Sequence, residues 1–145
     1  MSSGVRRLVT LPREESMRLL GTVALGRLVF THLALPAVRP VNHVLDGDEI
    51  IIRAELGRVI SSAAAADGGP GTVVAYEADL IDPVDHLGWS VIIVGRASRL
   101  TDPGKIEKYR LVLRPWVAGD MDEFITIRAD MVDGFKLDRA ESPAQ

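Results

Sequence analysis

Three arginines bracket one short stretch, Arg39 to Arg58, which reads RPVNHVLDGDEIIIRAELGR. Arg39 precedes a run of strand formers, Arg53 ends the next run, and Arg58 opens a segment suited to a helix. Guanidinium groups grip phosphate through paired, charge-assisted hydrogen bonds. The three therefore form a candidate cradle for a phosphorylated cofactor. Between them, Pro40, Val41 and Asn42 offer a backbone-rich wall that could lie along a flat ring. Trp89 follows a glycine at the start of a later strand, where an indole can stack on such a ring or fill a core or interface. Taken singly, arginines at strand ends are ordinary solvated surface.

Other chemistries find little support. The chain has three histidines and no cysteine. A disulfide framework, a zinc–thiolate site and a thiol nucleophile are therefore excluded. His32, His43 and His86 lack the one-turn spacing of a zinc pair and read as structural or surface groups. Asp82, Asp85 and His86 could resemble a metal patch but read better as a polar turn. No serine occupies a Gly-x-Ser-x-Gly elbow. Neither a dinucleotide fingerprint nor a P-loop is present. Gly68-Gly69-Pro70-Gly71 lacks the lysine and helix start of a phosphate loop. A net charge of −3 is the wrong sign for a nucleic-acid binder. The N-terminus lacks the apolar core of a signal peptide, and no apolar run reaches the roughly 20 residues of a membrane helix. A cytoplasmic protein is expected.

These residues need a scaffold, and 145 residues, 47% of them hydrophobic, are enough for one domain with a proper core. Residues 1–9 read as a loose arm and 139–145 as a frayed tail. Pro12 with Glu14 and Glu15 opens a helix that ends at Gly21, or at Gly26 after a short extension. Strands are expected over Arg27 to His32, Val38 to Leu45 and Glu49 to Ala54, the last two joined by a turn at Asp46-Gly47-Asp48. The unbroken Ile50-Ile51-Ile52 implies burial on both faces. Gly57 to Ala66 reads as a short helix and residues 67–71 as a loop. Thr72 to Leu80 and Trp89 to Leu100 read as strands, with Gly95 marking a bulge or bend. Thr101-Asp102-Pro103 starts a third helix, running to about Leu113. Phe124 to Ala129 and Met131 to Leu137 complete the strands. Six or seven strands in hairpin order, with few helices, point to a closed antiparallel barrel.

Read in order, LPREESMRLL with LGRLVF, the hairpin RPVNHVLDGDEIIIRA, LGRVISSA, VVAYEADLID and GWSVIIVGRASRL resemble the pyridoxamine 5′-phosphate oxidase-like superfamily. These are split-barrel flavin-binding proteins. The likeness runs from roughly Leu11 to Leu137 and is closest to the small actinobacterial-type branch that binds FMN or the deazaflavin F420. It implies a mainly β fold, a six-stranded antiparallel split β-barrel, and a homodimer with its cofactor in a groove at the interface. FMN is the expected cofactor, with F420 the alternative. By position, Arg39, Pro40, Val41 and Asn42 match the strand that runs along the flavin ring. Arg53 matches a position near the phosphate. Gly57-Arg58-Val59 matches a phosphate clamp, and Trp89 and Ser90 match positions that reach the flavin from the second subunit. Val44 and Val59 stand where the oxidases commonly carry lysine. The arginine–histidine substrate motif of the true oxidases does not appear, which argues against vitamin B6 oxidation. The implied activity is that of a flavin- or deazaflavin-dependent oxidoreductase acting on a small molecule. With no evident acid or base among the side chains, hydride transfer at the ring is the expected chemistry. The alternatives are a non-enzymatic flavin-binding or flavin-storage protein and a haem-binding split barrel using His43 or His86.

Overall fold

A computed structural model describes residues 5–66, 71–114 and 123–140. Eight strands and three helices follow the order β1 (Arg6–Leu11), α1 (Arg13–Leu20), β2 (Leu25–His32), β3 (Leu35–Asp46), β4 (Glu49–Arg53), α2 (Gly57–Ala66), β5 (Thr72–Ile81), β6 (Gly88–Arg99), α3 (Pro103–Val112), β7 (Phe124–Arg128) and β8 (Met131–Arg139). Six of the strands close an antiparallel barrel: β2 pairs with β3, β3 with β4, β4 with β7, β7 with β6, β6 with β5, and β5 with β2. The expected six-stranded barrel is therefore present.

Closure depends on β6 changing partners. Gly88 to Val94 pair with β8, and Ala97 to Arg99 pair with β7. Gly95 lies between the two sets. A side chain there would run into the Arg128 carbonyl on β7, so glycine permits the crossover. Beyond the barrel, β8 carries β1 on its free edge, from Arg6 opposite Arg139 to Leu11 opposite Gly134.

Pairing with β8 corrects the expected loose arm, because residues 6–9 belong to β1. The segment is rich in charge and half exposed, and its order comes from backbone pairing with a strand far away in sequence. Residues 1–4 of the arm, most of the loop at 67–71 and the tail beyond 140 lie outside the described residues.

The β2–β3 connection also differs from expectation. Instead of a connection from residue 33 to residue 37, the chain turns at Leu33 and Ala34, whose φ angles are 52° and 62°, and β3 begins at Leu35. Such turns ordinarily take glycine or asparagine, so nothing in the sequence marks this one. Pro36 and Pro40 fit within β3 because they pair only with β2; β4 joins the other edge from His43 onward. Proline's missing N–H costs little on an unpaired edge.

Two apolar clusters hold the elements together. The barrel interior holds Leu28, Ile50, Ile52, Tyr76, Val91, Ile93 and Ile127. A smaller one sets Ile51 against Tyr109, Leu113 and Phe124 under α3. Ile50-Ile51-Ile52 is thus buried on both faces, as its pattern predicts. Asp102 caps α3, accepting hydrogen bonds from Gly104 N at 2.9 Å and Lys105 N at 3.4 Å. No helix among the described residues is long and apolar enough to cross a membrane.

Candidate cofactor cleft

The barrel wall opens at one seam. β2 and β5 pair only between Arg27–Val29 and Ala75–Glu77, and beyond these residues the strands part. A cleft of about 790 Å³ lies there. One side is the end of β2 and its turn (Thr31, His32, Leu33, Ala34). Another is one face of α2 (Arg58, Val59, Ser62, Ala63), and the floor is Thr72, Val73 and Arg96. Positions 58, 59, 62 and 63 share a face because a helix repeats every three to four residues. Ile60, on the opposite side, is buried in the core and holds the helix down.

The cleft can receive a flat, partly apolar ligand with an anionic end. Leu33, Ala34, Val59 and Ala63 supply apolar surface. Arg58 and Arg96 supply positive charge, and Thr31, Ser62 and Thr72 supply hydroxyls. The volume falls within the usual range for small-molecule sites, about 300–1,000 Å³.

Of the eight residues singled out in the sequence, Arg58 lines this cleft. Arg39 and Pro40 are exposed on β3, while Val41 is buried in the barrel. Asn42 and Arg53 come together under α3, away from the cleft. Asn42 Nδ2 donates to the Arg114 carbonyl at 2.5 Å, and Arg53 Nη1 donates to the Leu113 carbonyl at 2.9 Å. The Arg53 guanidinium also lies 5.1 Å from the centroid of the Phe124 ring. Carbonyls at the end of a helix lack helical partners and carry partial negative charge, so these donors fasten the end of α3 to the sheet. Trp89 is buried in the barrel cluster, and Ser90 is half buried on the outer face of the sheet.

Arg96 and the turn at residues 31–34 also line the cleft, and sequence reasoning did not single them out. Arg96 sits in WSVIIVGRASRL, where it reads as one more outward-facing strand residue. Only the parting of β2 from β5 gives it a neighbour across a gap.

The histidines have separate roles. His43 Nε2 lies 2.9 Å from the Leu20 carbonyl, which can only accept, so Nε2 carries the proton. Nδ1 then accepts from the Tyr76 hydroxyl at 2.5 Å. Burial pushes the imidazole below its ordinary value, with the Leu20 contact opposing, which favours the neutral form. Burial likewise pushes the Tyr76 phenol up. Both ring nitrogens are occupied inside the barrel, so His43 is not placed to ligate a haem. Gly26 opposite leaves room for the Tyr76 hydroxyl, which a side chain would strike. His86 lies in a turn that Asp82 organises by accepting from Val84 N at 2.7 Å and Asp85 N at 3.2 Å.

Comparison with known proteins agrees with this architecture. The family model described as pyridoxamine 5′-phosphate oxidase matches residues 12–140. The chain belongs to this family. A relative, the uncharacterized protein Rv0080 of Mycobacterium tuberculosis, is 43% identical over 132 residues, covering 91% of this chain and 87% of the relative. Among solved structures, a candidate pyridoxamine 5′-phosphate oxidase from Corynebacterium glutamicum superposes with a TM-score of 0.73 at 24% identity, covering 90% of this chain and 98% of the other. The FAD-binding protein of Mycobacterium smegmatis gives 0.62 at 23%, with the same coverage. At these identities the two structures establish the shared fold. Within the pyridoxamine 5′-phosphate oxidase family, the cleft at the β2–β5 seam is the feature of this chain on which a functional reading can stand.

Proposed function

We propose that the chain is a flavin- or deazaflavin-dependent oxidoreductase of the split-barrel type, working as a homodimer on a small molecule, with FMN or F420 bound at the seam cleft. The observation that carries this reading is the cleft itself, apolar along the turn and α2 and positively charged at Arg58 and Arg96. Those residues suit an aromatic ring system bearing an anionic tail. The flavin bound by the Mycobacterium smegmatis relative supports the same class of cofactor.

A bound flavin would supply hydride transfer, and the protein would bind, orient and exclude water. Arg58 would hold the anionic end. Leu33, Ala34 and Val59 would shield the ring from solvent.

The outer face of the sheet supports a second copy. Val38, Val29, Ala75, Val94 and Met131 lie side by side across β3, β2, β5, β6 and β8, each in register with the next. Val38 is 55% exposed and Met131 61%. Val29, Ala75 and Val94 between them are half buried, and a contiguous, partly exposed apolar band of this kind suits an interaction surface. Val73 and Arg96 of the cleft stand on this face beside the band, so a partner copy there would close the cleft. Ser90 lies on the same face, and exposed Pro40, in register with Arg27, is available to that partner.

The test is a fluorescence-quenching titration of FMN and of F420, with the molar mass measured by light scattering. Saturable quenching of one cofactor by a dimer is expected. A monomer that quenches neither would overturn the reading.

A further inference from the structure

We infer that Arg58 and Arg96 form a two-point anion site in the cleft, fitted to a ligand with two adjacent anionic groups, such as a diphosphate. This rests on the flavin reading for the ring portion of the ligand and narrows its cofactor, because a flavin bearing a diphosphate is FAD, whereas FMN carries one phosphate. The anion site can be tested without a flavin.

The positive charge in the cleft, from two arginines, meets no carboxylate among the described lining residues, although the chain carries a formal charge of −3. Elsewhere on the same sheet face, Arg27 is differently placed: its Nη1 lies 3.1 Å from Glu77 Oε1 and 3.9 Å from Asp79 Oδ2. Two cations lining a concave site focus a positive field that favours an anion.

The second arginine is held where it can act. Arg96 follows Gly95, whose close contact with the β7 backbone locks β6 in place. It pairs in register with Val73 on the cleft floor. Its Nη1 makes a long contact of 3.5 Å to the Gly71 carbonyl. A guanidinium has five N–H donors, so most remain for a ligand. Arg58 comes from a different element, α2. Contacts from two separate walls suit two anionic groups better than one, and the Thr31 and Ser62 hydroxyls can complete the coordination.

Thermal shift with inorganic phosphate and pyrophosphate tests the site directly, since a ligand that binds the folded chain raises Tm. Pyrophosphate should stabilise the wild type more than phosphate at equal concentration. Arg96→Ala should remove that excess and keep the phosphate response, whereas Arg58→Ala should remove both. Arg96→Gln, which keeps most of the side-chain stem on β6, should behave like Arg96→Ala and guards against a folding defect. With flavins, Arg96→Ala should weaken FAD by about tenfold or more and change FMN by less than about twofold, as expected for one charge-assisted contact. Equal loss of phosphate and pyrophosphate in the Arg96 variants, an unchanged pyrophosphate response, or no response in the wild type would overturn the inference. A chain with the expected pyrophosphate pattern that binds no flavin would sink the flavin proposal and leave the anion site standing. A chain that binds flavin and ignores pyrophosphate would do the reverse.

Discussion

Arg53 and Arg58 are five residues apart and look alike in the sequence, but they sit in two regions that use positive charge differently. Under α3, Arg53 and Asn42 donate to the Leu113 and Arg114 carbonyls. At the β2–β5 seam, exposed Arg58 faces a concave space together with Arg96. One pair completes the fold by satisfying a helix end. The other lines a concave space whose described lining holds no carboxylate. Arginine near a strand end is thus ambiguous until its acceptor is known, because a carbonyl cluster and a phosphate attract the same group.

Stability measurements should separate the two regions most sharply. Arg53→Ala removes a charged hydrogen bond to Leu113 and the contact with Phe124, at an expected cost of about 2–3 kcal/mol. Chemical denaturation would report it, and cofactor affinity at a temperature where the variant is folded should stay within about twofold. Asn42→Ala should cost about 1–2 kcal/mol, because the Arg114 carbonyl loses its buried donor. If either variant keeps wild-type stability and loses cofactor binding, the α3 region belongs to the site after all.

A smaller effect probes the outer face between the regions. The Glu77 carboxyl is pushed up to about 7, first by burial, then by the hydrogen bond and charge of neighbouring Asp79, with Arg27 opposing. Between the ordinary value of 4.5 and about 7, the folded chain holds more protons than the unfolded one. Stability contributed by this group therefore falls as pH rises through that window. Glu77→Gln should flatten that part of the pH–stability curve relative to wild type. An unchanged slope would show that Glu77 is ionised across the window.

Much of the fold was legible because local chemistry and tertiary role agree. Asp46-Gly47-Asp48 turns the chain between β3 and β4, with Gly47 at φ 61°. The triple isoleucine is buried on both sides, and Thr101-Asp102-Pro103 starts α3 where its capping chemistry predicts, with Asp102 as the cap and Pro103 as the first helical residue. Strand β1 was illegible because its order depends on β8, more than a hundred residues away. The Leu33–Ala34 turn was illegible because it uses residues that turns of its kind avoid. Of the residues singled out in the sequence, Arg58 lines the seam cleft. Arg96 lines it because two strands part, and no spacing in the sequence encodes that event.

The most direct test compares Arg58→Ala with Arg53→Ala in one cofactor titration, using whichever of FMN and F420 the wild type quenches. The seam account predicts a loss of about tenfold or more for Arg58→Ala, from one charge-assisted contact, and near wild-type affinity for Arg53→Ala. Wild-type affinity in Arg58→Ala, or an equal loss in both variants, would contradict it.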